Sequence, residues 1–346
     1  MATRDRNTSW RRLVDSLLRV DQAELQPVDL AQLNLACAVG LPGAQGLDIE
    51  ACLRQLDDWA ALIGQGTQRM LPEFQQAPDE FQESEGYFRI LVMVTVLQRN
   101  IGVEYNQECM AGPPDCTDSR NLFLHGLLET RRGTCLSMPV LYVVIARRLG
   151  YPVFLVGAKQ HLFARWGSPG GERFNIECTT RGLVCHPDEH YHRWPVPLTQ
   201  RDLDRGYYLH SMSPAEELAC FLAARGHCLR DNLRLAEAVE AFAEAGTLAP
   251  RDPNYSGFHA IATVLFLELG GRANYGVSQP GVQGHVLAKG RCRPLQSWET
   301  WAVPRARQEL QRILSIRRAD TDLSSRRTAL HRLLGDRHPV GLNHTF

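Results

Sequence analysis

Three side chains that could transfer an acyl group follow one another along the chain: Cys135, His161 and Glu177. A cysteine attacks an acyl carbon as the thiolate, yet a free thiol is mostly protonated at neutral pH. A histidine can accept that proton and later give it to a leaving amine, while a carboxylate on its second ring nitrogen fixes the tautomer. The residue types and their order therefore predict a Cys-His-acid triad that works through a thioester.

Cys135 stands at the start of a predicted helix that runs through a long apolar segment to Gly150. Thr134 is a suitable N-cap, and Gly150 followed by Pro152 is typical of a helix end. A helix N-terminus favours a thiolate because its backbone N–H groups are unpaired and its dipole is positive there. The same N–H groups could hold the oxyanion of acyl transfer. Apolar residues occupy most sides of this helix, so we expect it to lie at the centre of the fold.

The other two members of the triad lie on predicted strands. Strand side chains alternate between two faces, so His161 and Glu177 share a face only in some registers. A turn-rich segment at 167–171 separates their strands and favours an antiparallel hairpin. The predicted strands cover 153–157, 161–166 and 172–178.

We predict that Trp166 pairs with Glu172 across this turn, which sets His161 directly opposite Glu177. A slip of one residue would move the imidazole and the carboxylate to opposite faces. The predicted register also has a visible cost, because it opposes two like charges. These are Arg165 and Arg173.

Helical patterns dominate on both sides of this segment, so the predicted fold class is α+β, with a central helix packed on a small antiparallel sheet. Asp48 caps one helix that we expect to end at Gly64, and Ser213 with Glu216 forms a capping box. Further helices are predicted at 87–97, 121–130, 214–224, 233–248, 256–269, 304–316 and 323–334. The predicted divisions are a helical N-terminal part at 1–110, a catalytic core at 111–205, a helical part at 206–270 and an irregular and helical tail at 271–346.

The composition argues against several classes of function. Hydrophobic residues make up 44% of the 346 residues and the formal net charge is zero, which is typical of a soluble globular protein. The basic residues are dispersed, so we expect no binding to nucleic acid. The N-terminus lacks the apolar core of a secretory signal, and the longest apolar run, Ile90–Leu97, is too short to cross a bilayer. We therefore expect a cytoplasmic protein that has no contact with a membrane.

The ten cysteines contain no CxxC pair, so most are expected to be reduced and packed like small apolar residues. Cys109 and Cys116 flank a loop and could pair, but two free thiols are favoured. A Cys- and His-rich stretch raises a zinc site as an alternative, although its spacing is not a standard zinc pattern. We expect neither a metal nor another cofactor. The residues of this stretch are Cys178, Cys185, His186, His190 and His192.

Two polar residues near the third strand are candidates for binding a substrate. Asn175 would share the face of His161, and Arg181 follows the predicted strand closely. A polar strand residue and an arginine that stabilises a turn explain them equally well.

Residues from about 28 to 182 resemble a bacterial branch of the transglutaminase-like superfamily. The resemblance implies a papain- or transglutaminase-like core, and by motif it assigns the catalytic roles to Cys135, His161 and Glu177. It also implies tetratricopeptide-like helices after the core. Matching positions there are Leu222, Arg225, Gly226, Ala238, Phe242, Ala245, Leu248 and Pro250. The phrases that carry the core resemblance are DLAQLNLACAVGLPG, SEGYFRILVMVTVLQ, DSRNLFLHGLL, RRGTCLSMPVLYVVIARRLGYP, HLFARW and FNIECTTRG.

The sequence departs from the classical enzymes of this superfamily at two positions. Glu177 stands where they carry Asp, and Leu136 follows the cysteine where an aromatic residue is frequent. Two functions therefore remain open. One is a thiol acyltransferase, amidase or protease that acts on an amide of a protein or peptide. The other is a non-catalytic scaffold that binds a protein partner through its helical repeats.

Overall fold

The computed structural model describes residues 29–111, 115–269 and, in part, 305–311. The described chain falls into two compact units, divided between Ala224 and Arg225. The first unit combines helices with two small sheets, and the second is helical. The predicted helix at 323–334 and most of the predicted tail at 271–346 lie outside the described residues.

The first unit begins with three helices whose N-caps are visible in the sequence. The side chains of Asp29, Asp48 and Ser84 each accept a hydrogen bond from a backbone N–H in the first helical turn. A π-helical turn, in which the chain is wound more loosely than in an α-helix, follows the third helix directly. These elements are α1 (Leu30–Ala38), α2 (Ile49–Gln76), α3 (Glu85–Thr95) and the π-helix (Val96–Ile101).

Helix α2 does not end at Gly64, so that prediction is wrong. The helix continues to Gln76. A Cβ atom at Gly64 would lie 3.3 Å from a methyl carbon of Leu149. Gly64 therefore allows α2 to pack closely against Leu149, and it does not mark the end of the helix.

The predicted central helix is present, and its apolar residues are buried on all sides. It packs against α2 and against the larger sheet, which explains why its sequence shows no polar face. A short helix and two short parallel strands precede it. The bounds are β1 (Glu104–Tyr105), α4 (Leu124–Thr130), β2 (Arg132–Gly133) and α5 (Ser137–Arg148).

The larger sheet has three antiparallel strands in the order β3-β4-β5, so the strand that carries His161 is central. This confirms a small antiparallel sheet after the central helix. The strands are β3 (Val153–Ala158), β4 (His161–Gly167) and β5 (Arg173–Ile176).

The register of β4 with β5 differs from the predicted one by two residues. Trp166 pairs with Phe174 rather than with Glu172, and Arg165 pairs with Asn175 rather than with Arg173. Because the shift is an even number, every side chain keeps its predicted face. The prediction that His161 and Glu177 lie directly opposite each other is therefore wrong, but the prediction that they share a face is correct.

The turn between these strands explains the difference. The N–H of Ser168 donates to the carbonyl of Glu172 at 2.9 Å, and the N–H of Gly171 donates to the carbonyl of Ser168 at 3.1 Å. Gly171 has a φ of 93°, a left-handed conformation that glycine adopts at little cost. The turn is thus centred on Gly170, one residue later than the predicted turn.

Two short helices connect the sheet to three long helices. The predicted capping box forms, because Glu216 accepts from the backbone and hydroxyl of Ser213. Among the helices that the structure describes, none is both long enough and apolar enough to cross a membrane. Arg305, Ala306, Gln308, Glu309 and Gln311 are helical, within the helix predicted at 304–316. The remaining helices are α6 (Asp188–Tyr191), α7 (Gln200–Arg205), α8 (Pro214–Asp231), α9 (Leu235–Leu248) and α10 (Pro253–Leu269).

Candidate active site

Cys135 lies in the turn just before the first residue of α5, and its side chain is half-buried. The hydroxyl of Thr134 accepts from the N–H groups of Leu136 and Ser137, at 3.2 and 3.4 Å. In return, the hydroxyl of Ser137 accepts from the N–H of Thr134 at 3.0 Å. This reciprocal cap fixes the turn that presents the thiol.

The thiol is not poised as a thiolate. Burial raises the pKa of Cys135 to about 11, and the charges of Cys109 and Glu177 act in the same direction against an opposing backbone hydrogen bond. The placement before a helix therefore does not outweigh desolvation. The proton of this thiol has to be removed by a base if the sulfur is to react at neutral pH.

His161 and Glu177 form a buried pair. The Nε2 atom of His161 lies 3.0 Å from Oε2 of Glu177, and both side chains are almost fully enclosed. His161 is the first residue of β4, and Glu177 follows the last residue of β5. The observed register makes them diagonal rather than direct neighbours, a separation that long side chains can bridge.

The carboxylate of Glu177 accepts four hydrogen bonds. Its Oε1 atom receives the N–H and hydroxyl of Thr179, at 3.0 and 2.6 Å, and Oε2 receives His161 and the Tyr191 hydroxyl, the latter at 3.1 Å. Burial alone would raise the pKa of this carboxyl, but the bond and charge of His161 and the bonds of Thr179 outweigh it and lower the pKa. Glu177 is therefore a fixed anion at neutral pH.

The parallel pairing of β1 with β2 brings Tyr105 close to the Cys135 thiol. Tyr105 pairs with Gly133, two residues before Cys135. Burial raises the pKa of the Tyr105 hydroxyl to about 12, and the nearby charges of Cys135, Cys109 and Glu177 add to this effect. The thiol and the carboxylate thus act on the same neighbour, although sequence separates them widely.

The described contacts join His161 to Glu177 and bring Cys135 within electrostatic range of Glu177. Within the described residues, no hydrogen bond joins the Cys135 thiol to the His161 ring. The pairing of imidazole and carboxylate is thus a feature of the structure.

Comparison with protein families gives a match to part of the chain. Residues 50–219 match a family model described as Transglutaminase-like superfamily. The chain carries a transglutaminase-like domain. No curated protein and no solved structure matches the chain. The matched range ends close to the start of α8 and contains all three candidate residues, Cys135, His161 and Glu177.

A segment at residues 187–195, which we call the aromatic strap, covers the buried pair in the transglutaminase-like domain. Tyr191 stacks on Phe163 with ring centroids 3.9 Å apart. The rings of Trp194 and His161 meet edge-to-face, with centroids 4.6 Å apart. Tyr191 is fully buried, whereas Trp194 is 39% exposed. The strap therefore shields the imidazole on one side and presents an aromatic surface to solvent.

Asp188 anchors the strap to the sheet. Its carboxylate receives Arg165 and Arg173, both at 2.7 Å, and the amide of Asn175 at 2.8 Å. Asn175 also accepts from Arg165 at 2.7 Å and donates to the carbonyl of His186 at 2.8 Å. The two arginines that the predicted register set against each other thus share one counter-ion. Asn175 is committed to this network.

Arg181, the other candidate for substrate binding, is exposed in the loop after Glu177. Gln98 of the π-helix holds this loop, because it donates to the carbonyl of Thr180 at 3.0 Å and accepts from the N–H of Gly182 at 2.8 Å. The backbone around Arg181 is therefore fixed while its side chain points into solvent.

The Cys- and His-rich stretch contains no group of three or more possible ligands arranged to hold a metal ion, as far as the chain is described. Cys178 is fully buried and its thiol donates to the carbonyl of Ile176. His186 and His190 stack with ring centroids 3.9 Å apart. Cys109 is a free thiol, as the sequence favoured. The stretch thus supplies packing and the strap rather than a ligand set.

Sequence reasoning missed Thr179, Tyr191 and Trp194. Thr179 could have been found, because a hydroxyl two residues after a carboxylate often binds it locally. The two aromatic residues lie in the phrase HYHRWP. Nothing in that phrase alone indicates that it folds back over His161.

Proposed function

We propose that this protein is a cysteine-dependent enzyme that transfers the acyl group of an amide, to water or to an amine. Cys135 is the nucleophile, His161 the general base and then the general acid, and Glu177 the residue that orients the imidazole. The observation that carries this proposal is the buried His161–Glu177 hydrogen bond of 3.0 Å in a domain that also places Cys135 before its central helix.

The orientation of the imidazole decides which nitrogen serves which partner. Glu177 binds Nε2, so Nδ1 is the nitrogen that would face the thiol. The proton of Cys135 moves to Nδ1 as the sulfur forms its bond to the carbonyl carbon. His161 then returns this proton to the leaving nitrogen, the C–N bond breaks, and a thioester remains on Cys135.

The raised pKa of the Cys135 thiol determines at which stage of the reaction the thiol loses its proton. With a pKa of about 11, Cys135 is protonated at neutral pH, so a standing thiolate–imidazolium pair does not carry the reaction. Removal of the proton accompanies the attack instead. The fixed negative charge of Glu177 favours this step, because it stabilises the imidazolium that forms.

The oxyanion of the tetrahedral intermediate needs a hydrogen-bond donor. The N–H groups of Leu136 and Ser137 already donate to Thr134. The backbone N–H of Cys135 itself is therefore the stronger candidate.

The substrate class that we propose is an amide of a protein or peptide. The roles of Asn175 and Arg181 in binding it remain predictions. Arg181 is exposed, so an anionic substrate group could reach it, whereas the amide of Asn175 is fully used within the sheet.

Thiol alkylation tests the proposal with a matched control inside the chain. Burial raises the pKa of Cys185 to about 11, the same value as for Cys135, although Cys185 is exposed in a loop. With limiting iodoacetamide at pH 7 and detection by peptide mass, we expect Cys135 to react at least about tenfold faster than Cys185, because His161 assists only Cys135. His161→Ala should remove this difference.

Equal rates at the two thiols in the wild-type protein would contradict the proposal. A fast Cys135 that His161→Ala leaves unchanged would contradict the assigned base. Intact-mass detection of an acyl adduct at Cys135, obtained with an active ester, would extend the result from alkylation to acyl transfer.

The alternative function is a scaffold that uses the same domain without catalysis. The raised thiol pKa supports it, as does the burial of Leu222 on α8 and of Ala238 and Phe242 on α9, positions that the resemblance assigns to a repeat. A Cβ atom at Gly226 would lie 2.6 Å from the Phe242 ring, the kind of close helix contact that such repeats contain. The scaffold predicts that Cys135→Ala leaves the biological function intact, whereas changes on the exposed faces of these helices abolish it.

A further inference from the structure

A cleft on the first unit lies between α2 and the continuous segment formed by α3 and the π-helix. It has a volume of about 360 Å³, within the range of small-molecule sites. Its walls are mostly apolar, and Leu62 at its edge is one of three large hydrophobic residues that are exposed in the described chain. Other lining residues include Met70, Phe81, Leu91 and Val92. This cleft takes no part in the chemistry assigned to Cys135.

Each wall of the cleft contributes one arginine. Arg69 comes from α2 and Arg99 from the π-helix, and both are exposed. No acidic residue lines the cleft, and neither arginine has an ion-pair partner among the described residues. By contrast, Arg89, Arg147 and Arg148 of the same unit each pair with a carboxylate. The cleft thus joins an apolar interior to two positive charges that lack a counter-ion there.

The space in the cleft depends on Gly66, at the middle of α2. A Cβ atom there would lie 3.5 Å from Val96, which is an ordinary contact, so α2 and the π-helix do not need a glycine in order to pack. A glycine in a helix interior costs stability. Gly66 is one of the residues that line the cleft, and its missing side chain leaves that space open.

We propose that this cleft binds an anionic amphiphile, a molecule with a carboxylate head and an apolar tail. The tail would displace water from the apolar walls, and the carboxylate would accept charge-assisted hydrogen bonds from Arg69 and Arg99. A cation is disfavoured by the two arginines, and a neutral apolar molecule would leave them without a partner. The inference does not depend on the proposed function of Cys135.

Binding of dodecanoate, below its micelle concentration, tests this proposal by calorimetry on the full chain. The comparison ligands are dodecanol and dodecyltrimethylammonium, which keep the tail and change the head. We expect dodecanoate to bind most tightly, and Arg69→Gln or Arg99→Gln to weaken it by about tenfold, the scale of one charge-assisted hydrogen bond. Arg54→Gln is the matched control, since Arg54 is exposed on α2 but does not line the cleft.

Gly66→Leu is a second variant that fills the cleft, and we expect it to abolish binding without lowering the melting temperature. Equal binding of dodecanol and dodecanoate would overturn the proposal, as would binding that both arginine variants leave unchanged. Capture of an acidic amphipathic peptide, with no binding of dodecanoate, would also overturn it. Loss of Cys135 reactivity in a separate assay would leave this inference untouched.

Discussion

Glu177 shows how one carboxylate can be buried and still remain charged. Four donors surround it, so its desolvation is compensated and its pKa is lowered from 4.5. Its interactions therefore stabilise the fold fully above pH 4.5 and are lost as the pH falls through the lower value of the folded state. For the same reason, protonation of Glu177 cannot limit reactivity at Cys135 at any pH above 4.5.

Glu177→Gln should lower the alkylation rate of Cys135 at pH 7 by about tenfold or more, because the imidazolium loses its counter-charge. Tyr191→Phe removes one donor and keeps the ring on Phe163, so we expect a smaller loss, about threefold. Glu172→Gln is the control, because Glu172 binds Ser84 at the other end of the hairpin. Equal rates in Glu177→Gln and wild type would exclude a role for the carboxylate in activating the thiol.

The tight turn of the β4–β5 hairpin determines where His161 meets Glu177. It needs Gly171 in the left-handed region, whereas Gly170 in the same turn does not have a positive φ. Both positions are open in space, so an added methyl group at either one meets no close contact. Any difference in stability between alanine variants at these two positions therefore reports backbone strain.

Gly171→Ala should lower the free energy of unfolding by about 1 kcal/mol, the cost of a left-handed L-residue. Gly170→Ala should leave it unchanged or raise it slightly, because alanine restricts the unfolded chain. Urea unfolding followed by circular dichroism measures both. A destabilised Gly170→Ala beside an unaffected Gly171→Ala would contradict the observed turn.

The sequence predicts which face of the sheet a side chain occupies better than it predicts which residues pair between the strands. The alternation of side chains is a local property, so the shared face of His161 and Glu177 could be read directly. The register depends on whether the chain closes at Ser168 or one residue earlier, and the three glycines of this turn permit both. The strap could not be predicted for a different reason, because Tyr191 and Trp194 reach the site only through long-range packing. The central helix, with its continuous apolar middle, was the safest prediction.

Within the first unit as a whole, one ion pair ties the start of α8 to the central helix. Arg147 binds Glu217 through two hydrogen bonds of 3.0 and 2.6 Å, and the Glu217 side chain is 1% exposed. Burial raises the pKa of Glu217 even though Arg147 opposes it. Arg147 and a backbone hydrogen bond from Leu155 thus compensate in part for the burial of this carboxylate.

Arg147→Ala should lower the free energy of unfolding by about 3 kcal/mol at pH 7, because it leaves a buried charge without its ion-pair partner. A group whose folded pKa is raised costs stability as the pH rises above its unfolded pKa. The loss should therefore shrink as the pH falls through the raised pKa of Glu217, and it should be small below 4.5, where the carboxyl is protonated. Arg148→Ala is the matched control, since its partners are partly exposed, and it should cost less than about 1 kcal/mol. Chemical denaturation at pH 7 and pH 4 measures both, and a loss that does not depend on pH would contradict this account.

The π-helical turn links two regions that look unrelated along the chain. Rewinding it into an α-helix would rotate the side chains that follow by about 100° around the axis. Gln98 resists such a rotation through its bonds to Tyr142, Thr180 and Gly182, while its neighbour Arg99 faces the cleft. One turn of the chain thus holds the loop behind Glu177 and also lines the cleft. A change in the winding of this turn would therefore move both the loop behind Glu177 and one wall of the cleft.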